Sequence, residues 1–285
     1  LEGTKLAPEE WPNRISMSVV AGVDQFGTIA KARAIRALWS CVLDGAGLPQ
    51  SAMALHMTTS YRMLTVRDPW VNLLRNTVAV FGAGIGGADS ISVLPHTLAA
   101  GLPDGFARRL ARNTQSILLE ESNLAKVIDP AAGSGAIEDR TGKLCAAAWE
   151  LFQEIEAAGG LLEALRQGLV QGRIGAAKAE LDKKIALRKR PITGVSEFPD
   201  LAEKEVSVLD MASPTGETRR DAPAVDLPDA GDGQWFTALR NLALAGSTLP
   251  ASEQPSELKD IPVLVPARLS EPFEQLRAAA DDLAK

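Results

Sequence analysis

The sequence is poor in the residues that most often announce a chemistry. Its 285 residues include two histidines, two cysteines and one tyrosine, and aromatics make up only 5%. Cys41 and Cys145 lie far apart within apolar helical patterns, which excludes a disulfide framework and favours a reducing compartment. Neither cysteine stands at metal-ligand spacing from His56 or His96, so no metal site is expected. No apolar run reaches the roughly 18 residues that cross a bilayer, and no basic segment followed by a hydrophobic one opens the chain. The expectation is a cytoplasmic protein without a membrane partner. Basic residues are outnumbered 30 to 36, for a formal net charge of −6, and no basic stripe is present, so nucleic acid is not an expected partner. What is present is ordinary: 46% hydrophobic and 23% charged residues, enough for one large or two small domains. The chain opens on Leu1 rather than Met and enters strand-like sequence by residue 15, as a fragment would.

Four units of strand then helix follow. Ile15 to Val20 is short and β-branched, and precedes a helical stripe of Ile35, Leu38, Trp39, Val42 and Leu43. Ala52 to His56 forms the second strand; Asp68-Pro69 reads as an N-cap with proline in the first turn, opening a helix whose stripe is Trp70, Leu73, Leu74, Thr77, Val78 and Phe81. Asp89 to Leu94 is the third strand, with a helix over 105–121. Lys126 to Asp129 is the fourth, with a helix over 140–158. Such units imply parallel strands, in either a doubly wound sheet or a (β/α)8 barrel. Further helices follow Gly159-Gly160, and the basic run Lys183 to Arg190 reads as a solvated helix end. From about residue 202 the composition changes, and Met211 to Gly233 reads as a linker before a last helix with Phe273, Leu276, Ala279 and Leu283.

Gly82-Ala83-Gly84-Ile85-Gly86-Gly87 matches G-x-G-x-x-G, but a helix precedes it and a strand follows, the reverse of a dinucleotide site. The string reads as a helix end and turn. In a barrel, chemistry belongs at the C-terminal ends of strands, which singles out His56, Pro95-His96 and Asp129-Pro130. His56 is either a donor to a substrate carbonyl or a satisfied buried histidine. Arg75, off the apolar stripe of its helix, is either a contact for an anionic group or a solvated cation. No nucleophile-elbow pattern is present.

Several strings together resemble the methylmalonyl-CoA mutase family: Ile29-Ala30-Lys31-Ala32-Arg33 through Leu38-Trp39, His56 to Thr65, Asp68-Pro69 with Asn72 and Arg75, and Gly86-Gly87. Further along come Gly101-Leu102-Pro103, Ala111 to Gln115, Glu120-Glu121-Ser122, Asp129-Pro130 with Gly133-Ser134, Trp149, Gly159-Gly160, and Ile192 to Phe198. The resemblance covers about residues 14 to 200. It implies the C-terminal half of a (β/α)8 TIM barrel that binds an acyl-CoA, four β/α units with trailing helices over residues 1–200, followed by an irregular Pro- and Asp-rich linker with a terminal helix over 201–285. The family's flavodoxin-like cobalamin domain, with its D-x-H-x-x-G motif, has no counterpart here.

Within the barrel the chain departs from catalytic members. Their GWSLT is Tyr61-Arg62-Met63-Leu64-Thr65; in their GGTQSLHTN, the Gln is Asp89 and the His is Ser92; their DPWGGSYY is Asp129 to Ala136 without Trp or Tyr. These departures resemble the small, or β, subunit of the heterodimeric bacterial enzyme. The resemblance implies a non-catalytic subunit paired with a catalytic α subunit, in a complex of propionate metabolism that interconverts (R)-methylmalonyl-CoA and succinyl-CoA by radical rearrangement. Adenosylcobalamin is then held by the partner, with none bound by this chain alone. By position, His56 corresponds to the residue that contacts the thioester carbonyl, in a role that is vestigial here. Arg75 corresponds to an arginine against CoA, while Asp89 and Ser92 occupy substrate-contacting positions. The alternatives are an active acyl-CoA mutase of divergent preference and a dinucleotide-binding oxidoreductase.

Overall fold

The computed structural model describes residues 7–210, 234–244 and 261–283. It falls into two compact units, Leu1–Leu209 with Pro262–Lys285, and Asp210–Ile261. In the second unit the described structure is essentially one helix, Trp235–Leu244; the expected linker Met211 to Gly233 lies outside the described residues.

The first unit is built on a parallel sheet in sequential order: β1 (Ser16–Ala21), β2 (Ala54–Thr59) and β3 (Ser90–Ser92). The crossovers are α1 (Gln25–Gly45) and α2 (Val71–Ile85). Strand side chains alternate between faces. Ala21, Leu55 and Met57 are fully buried and, with Met17, Val19 and Ile91, pack against Ala32, Ala79 and Ala83 of the two helices. Alanine on the helices matched to larger residues on the strands lets helix and sheet approach closely. The opposite face, Ser16, Ser18 and Val20 beside His56, Thr58, Ser90 and Ser92, is exposed or half-buried, with no helix among the described residues covering it.

The first three expected units are therefore present; the fourth is not. Residues Lys126 to Asp129 form turns instead of a strand, with Ile128 97% exposed. Asn123 and Asp129 adopt left-handed φ values of 56° and 47°, which break an extended run at both ends. The Asp129 carboxylate is meanwhile taken by Arg33 of α1 at 3.1 Å. That guanidinium also grips Glu138 at 2.8 Å, at the start of α4 (Gly135–Ala157), after α3 (Gly105–Glu120). Arg33 thus pins the turn and the next helix to α1.

The apolar stripe expected on α2 is not its buried face. Leu74 is 68% exposed and Trp70 51%, whereas Asn72, Arg75, Asn76, Ala79, Val80 and Ala83 are buried. Nor does Asp68 cap the helix: it has φ 45° and makes no cap bond, and α2 opens at Val71. The Gly-rich string ends α2 as expected, with Gly86 as C-cap and Gly87 at φ 83°. It does more besides. A Cβ on Gly86 would stand 2.8 Å from the Ala32 Cβ and 3.2 Å from the Ile29 Cα, so this glycine sets the approach of α2 to α1.

After α5 (Leu161–Arg166) and α6 (Leu169–Ala186), a short antiparallel pair joins β4 (Leu102–Pro103) to β5 (Val208–Leu209). With the unit-2 helix as α7, the last helix is α8 (Glu271–Leu283). This helix, the terminal one expected after the linker, lies in the first unit. The Leu269 N–H donates to the Arg62 carbonyl at 2.9 Å and Arg268 pairs with the buried Glu274 at 2.7 Å. Glu274 also accepts from the Val66 N–H at 2.7 Å.

Gly86→Val should lower the urea midpoint by an amount equivalent to about 1–3 kcal/mol, the usual cost of overpacking. Gly45→Ala, where a Cβ meets nothing within 4 Å, should leave stability unchanged or raise it by a few tenths of a kcal/mol. Equal midpoints for Gly86→Val and the unaltered chain would remove the close-approach account.

Candidate functional site

The open face of the sheet holds two rows of side chains, four of the six bearing small hydroxyls. In register, Ser18, His56 and Ser90 stand side by side, and Val20, Thr58 and Ser92 form the next row toward the C-terminal ends of the strands. His56 lies between two hydroxyls, its Nδ1 2.7 Å from the Ser90 Oγ and its Nε2 3.3 Å from the Thr58 Oγ1. Both ring nitrogens are thus engaged by the protein. Ser92 is exposed on the same face. Ser18, Thr58 and Ser90 went unread in the sequence, although the alternation Ser16-x-Ser18 and Ser90-x-Ser92 was the available signal.

Asp89 stands at the foot of β3, where its carboxylate accepts from the Leu55 N–H at 2.7 Å and pairs with Arg36 at 2.9 Å. Burial pushes the carboxyl up, but the Leu55 N–H and the Arg36 guanidinium outweigh it and hold Asp89 below the ordinary range. It clamps β2, β3 and α1 together.

Arg75 is a buried residue of α2, held between the helix, Thr65 and the Thr193 turn. Its Nη1 donates to the Asn72 Oδ1 at 2.8 Å and the Thr65 Oγ1 at 3.1 Å, and its Nη2 to the Thr193 carbonyl. All three acceptors are neutral. Burial lowers its pKa, against the longer-range pull of Asp68 and Glu274. Its place off the apolar stripe left it as either a contact for an anionic group or a solvated cation; it is buried because that stripe is not the face that α2 buries. It lines a cavity of about 320 Å3 with Thr65 and Thr193.

His96 is 1% exposed, stacked at 4.9 Å on Trp70, with its carbonyl accepting from Asn72 at 2.8 Å. It supports the loop after β3. Burial lowers its pKa, partly offset by Asp104. Among the described residues no three His, Cys, Asp or Glu side chains gather as a metal would require. The adenosylcobalamin implied by the family resemblance does not fit the described residues either. One imidazole is held between two hydroxyls and the other is stacked and buried, so neither offers an exposed nitrogen to a corrin metal. The glycine string ends α2 and sets Gly86 against α1, rather than opening a helix toward a phosphate.

Comparison with known proteins points one way. A family model described as methylmalonyl-CoA mutase matches residues 2–242. The methylmalonyl-CoA mutase small subunit of Streptomyces virginiae is 52% identical over 224 residues, covering 77% of this chain and 36% of that protein. The small subunit from Propionibacterium freudenreichii subsp. shermanii is 44% identical over 195 residues, 67% of this chain and 31% of that one. Methylmalonyl-CoA mutase of Escherichia coli is 37% identical over 206 residues, 71% and 29% of the two chains. The chain therefore spans about a third of the length of these curated relatives.

Because burial holds the His96 pKa below its unfolded value near 6.5, the unfolded chain binds more protons as pH falls through that value. Stability should be full above about pH 6.5 and decline below it. His96→Phe, which keeps a ring against Trp70, should flatten that decline in urea unfolding between pH 7 and 5.5. An unchanged slope would show that another group titrates.

Proposed function

Because the chain belongs to the methylmalonyl-CoA mutase family, and within it matches the small subunit, we propose that it is a barrel segment of a non-catalytic small subunit. The observation that carries this reading is His56. In the resemblance its position faces the thioester carbonyl, yet here each nitrogen is already bonded to a neighbouring hydroxyl, and Ser92 stands where catalytic members have a second histidine.

The barrel reading draws on how the sheet is covered. Three parallel strands in sequential order, with both crossover helices on one face and small polar residues on the other, match a barrel wall rather than a doubly wound sheet covered on both faces. The open face would then look into the barrel, where an acyl-CoA passes His56 and Ser92. Asp89 and Arg75 serve that face as positioning residues, through Leu55 and through the loops at Thr65 and Thr193. A barrel segment with two sheet edges needs the remaining strands to close it. The small-subunit relatives' name implies a larger partner, which in this reading carries adenosylcobalamin and the interconversion of (R)-methylmalonyl-CoA and succinyl-CoA. No helix among the described residues is long and apolar enough to cross a membrane; a cytoplasmic complex accords with that.

Co-purification of the full-length protein with a mutase large subunit, followed by adenosylcobalamin-dependent turnover of methylmalonyl-CoA by each protein alone and by the pair, tests the proposal. Activity confined to samples containing the large subunit is expected, with His56→Ala in the small subunit changing it less than about two-fold, since that ring touches no reacting atom. Turnover by this protein alone, abolished by His56→Ala, would overturn the non-catalytic assignment.

A further inference from the structure

The most regular apolar stripe in the sequence, on α2, is left out of the core, and where it goes is informative. Val71, Leu74 and Val78 wall the cavity of about 320 Å3 beside Arg75, faced by Val23 after β1 and Ile185 of α6. This volume lies at the lower end of the range of small-molecule pockets, about 300–1,000 Å3. Its lining includes two guanidinium groups, Arg75 in the wall and the exposed Arg190, with the Ser270 hydroxyl, and no carboxylate.

Neither guanidinium is ion-paired among the described residues: Asp24 acts on Arg190, and Asp68 and Glu274 on Arg75, only at longer range. Among the described residues no carboxylate lies within ion-pairing distance of Arg75, whose hydrogen bonds go to Asn72, Thr65 and the Thr193 carbonyl, all neutral. Of the two acids that act on it from further away, Glu274 is committed to Arg268 at 2.7 Å, and Asp68 lies in the acidic company of Glu203 and Asp200. A buried guanidinium held only by neutral acceptors keeps most of its desolvation cost, which an anion would relieve. Apolar walls with a cationic end select a ligand with a hydrocarbon body and one negative head.

We propose that this cavity binds a short-chain carboxylate, its head against Arg75 and Arg190 and its alkyl chain along Val71, Leu74 and Val78. The site is separate from the open sheet face: none of Ser18, His56, Ser90 or Ser92 lines it. It therefore stands or falls independently of the mutase reading.

Calorimetric titration of the full-length protein with hexanoate, hexanol and inorganic phosphate tests it. Saturable hexanoate binding is expected, with hexanol and phosphate each about ten-fold weaker or worse, the loss of roughly one partly buried charged or apolar contact. Absence of hexanoate binding overturns the proposal; hexanol binding equally well reduces the site to an apolar slot, and phosphate binding equally well to a bare anion site, each of which also overturns it. Two substitutions at exposed positions keep the test clear of misfolding. Arg190→Gln should weaken hexanoate about two- to five-fold, as loss of a solvent-screened charge does, and Leu74→Trp should fill the groove and abolish binding. Unchanged hexanoate affinity in both variants, with native circular dichroism, would put the ligand elsewhere and end the proposal.

Discussion

One buried amide organises the C-terminal edge of the sheet. Asn72 is fully buried on α2, and its Oδ1 accepts from the Thr65 N–H at 3.0 Å and from Arg75 at 2.8 Å. Its Nδ2 donates to the Thr65 carbonyl at 2.9 Å and the His96 carbonyl at 2.8 Å. A single side chain thus fixes the loop after β2, the loop after β3 and the guanidinium between α2 and the Thr193 turn. Each buried polar group left unpaired costs about 1–3 kcal/mol, so these bonds stand or fall together. One turn on, Asn76 repeats the device by donating to the Leu94 carbonyl at 2.7 Å. The two amides satisfy the Thr65, His96 and Leu94 carbonyls of the strand-end loops, although the Asn76 Oδ1 is itself left without a partner.

That arrangement explains why α2 presents two unlike faces. Its sheet side needs amides for the loops and alanines for close approach, so large apolar residues have no place there. Val71, Leu74 and Val78 fall on the flank instead and meet the 190–193 segment and Leu269 across the cavity. The same economy appears in α1. Ala32 lies against Gly86, and Arg33 on the next position reaches outward to Asp129 and Glu138, so one stretch of helix sets both its distance to α2 and the docking of α4.

Much of this was legible in the sequence, and the failures are specific. The strands at 16–21, 54–59 and 90–92 were marked by β-branched and apolar runs, and the glycine string was correctly read as a helix end because order along the chain, rather than the motif, decides whether glycines can cradle a phosphate. The α2 stripe misled because periodicity reports that a face is apolar, not what covers it. The fourth strand misled for a different reason. Val127 and Ile128 carry strand propensity, but a strand needs a neighbour, and left-handed residues on both flanks, with Arg33 holding Asp129, cost less than an unpaired extension from the short β3. At the site, His56 was reached from its place at a strand end and Ser92 through family resemblance; the serine neighbours could have been reached through their period-two spacing alone.

The open face bears most directly on what the chain does. Serine and threonine hydroxyls there are small, uncharged and able to turn toward whatever they meet, and the imidazole among them is held by two such groups rather than by a carboxylate. A histidine meant to move protons or polarise a carbonyl is commonly oriented by an acid on one nitrogen, which leaves the other free for substrate. Here Asp89, the acid next to Ser90 in sequence, points away to Arg36 and the Leu55 N–H, where it holds the strands in register. The same carboxylate that departs from the catalytic pattern is thus consumed in building the wall. Among the described residues, the imidazole on this face has both nitrogens bonded to neighbouring hydroxyls, which is the arrangement that the proposed non-catalytic reading rests on.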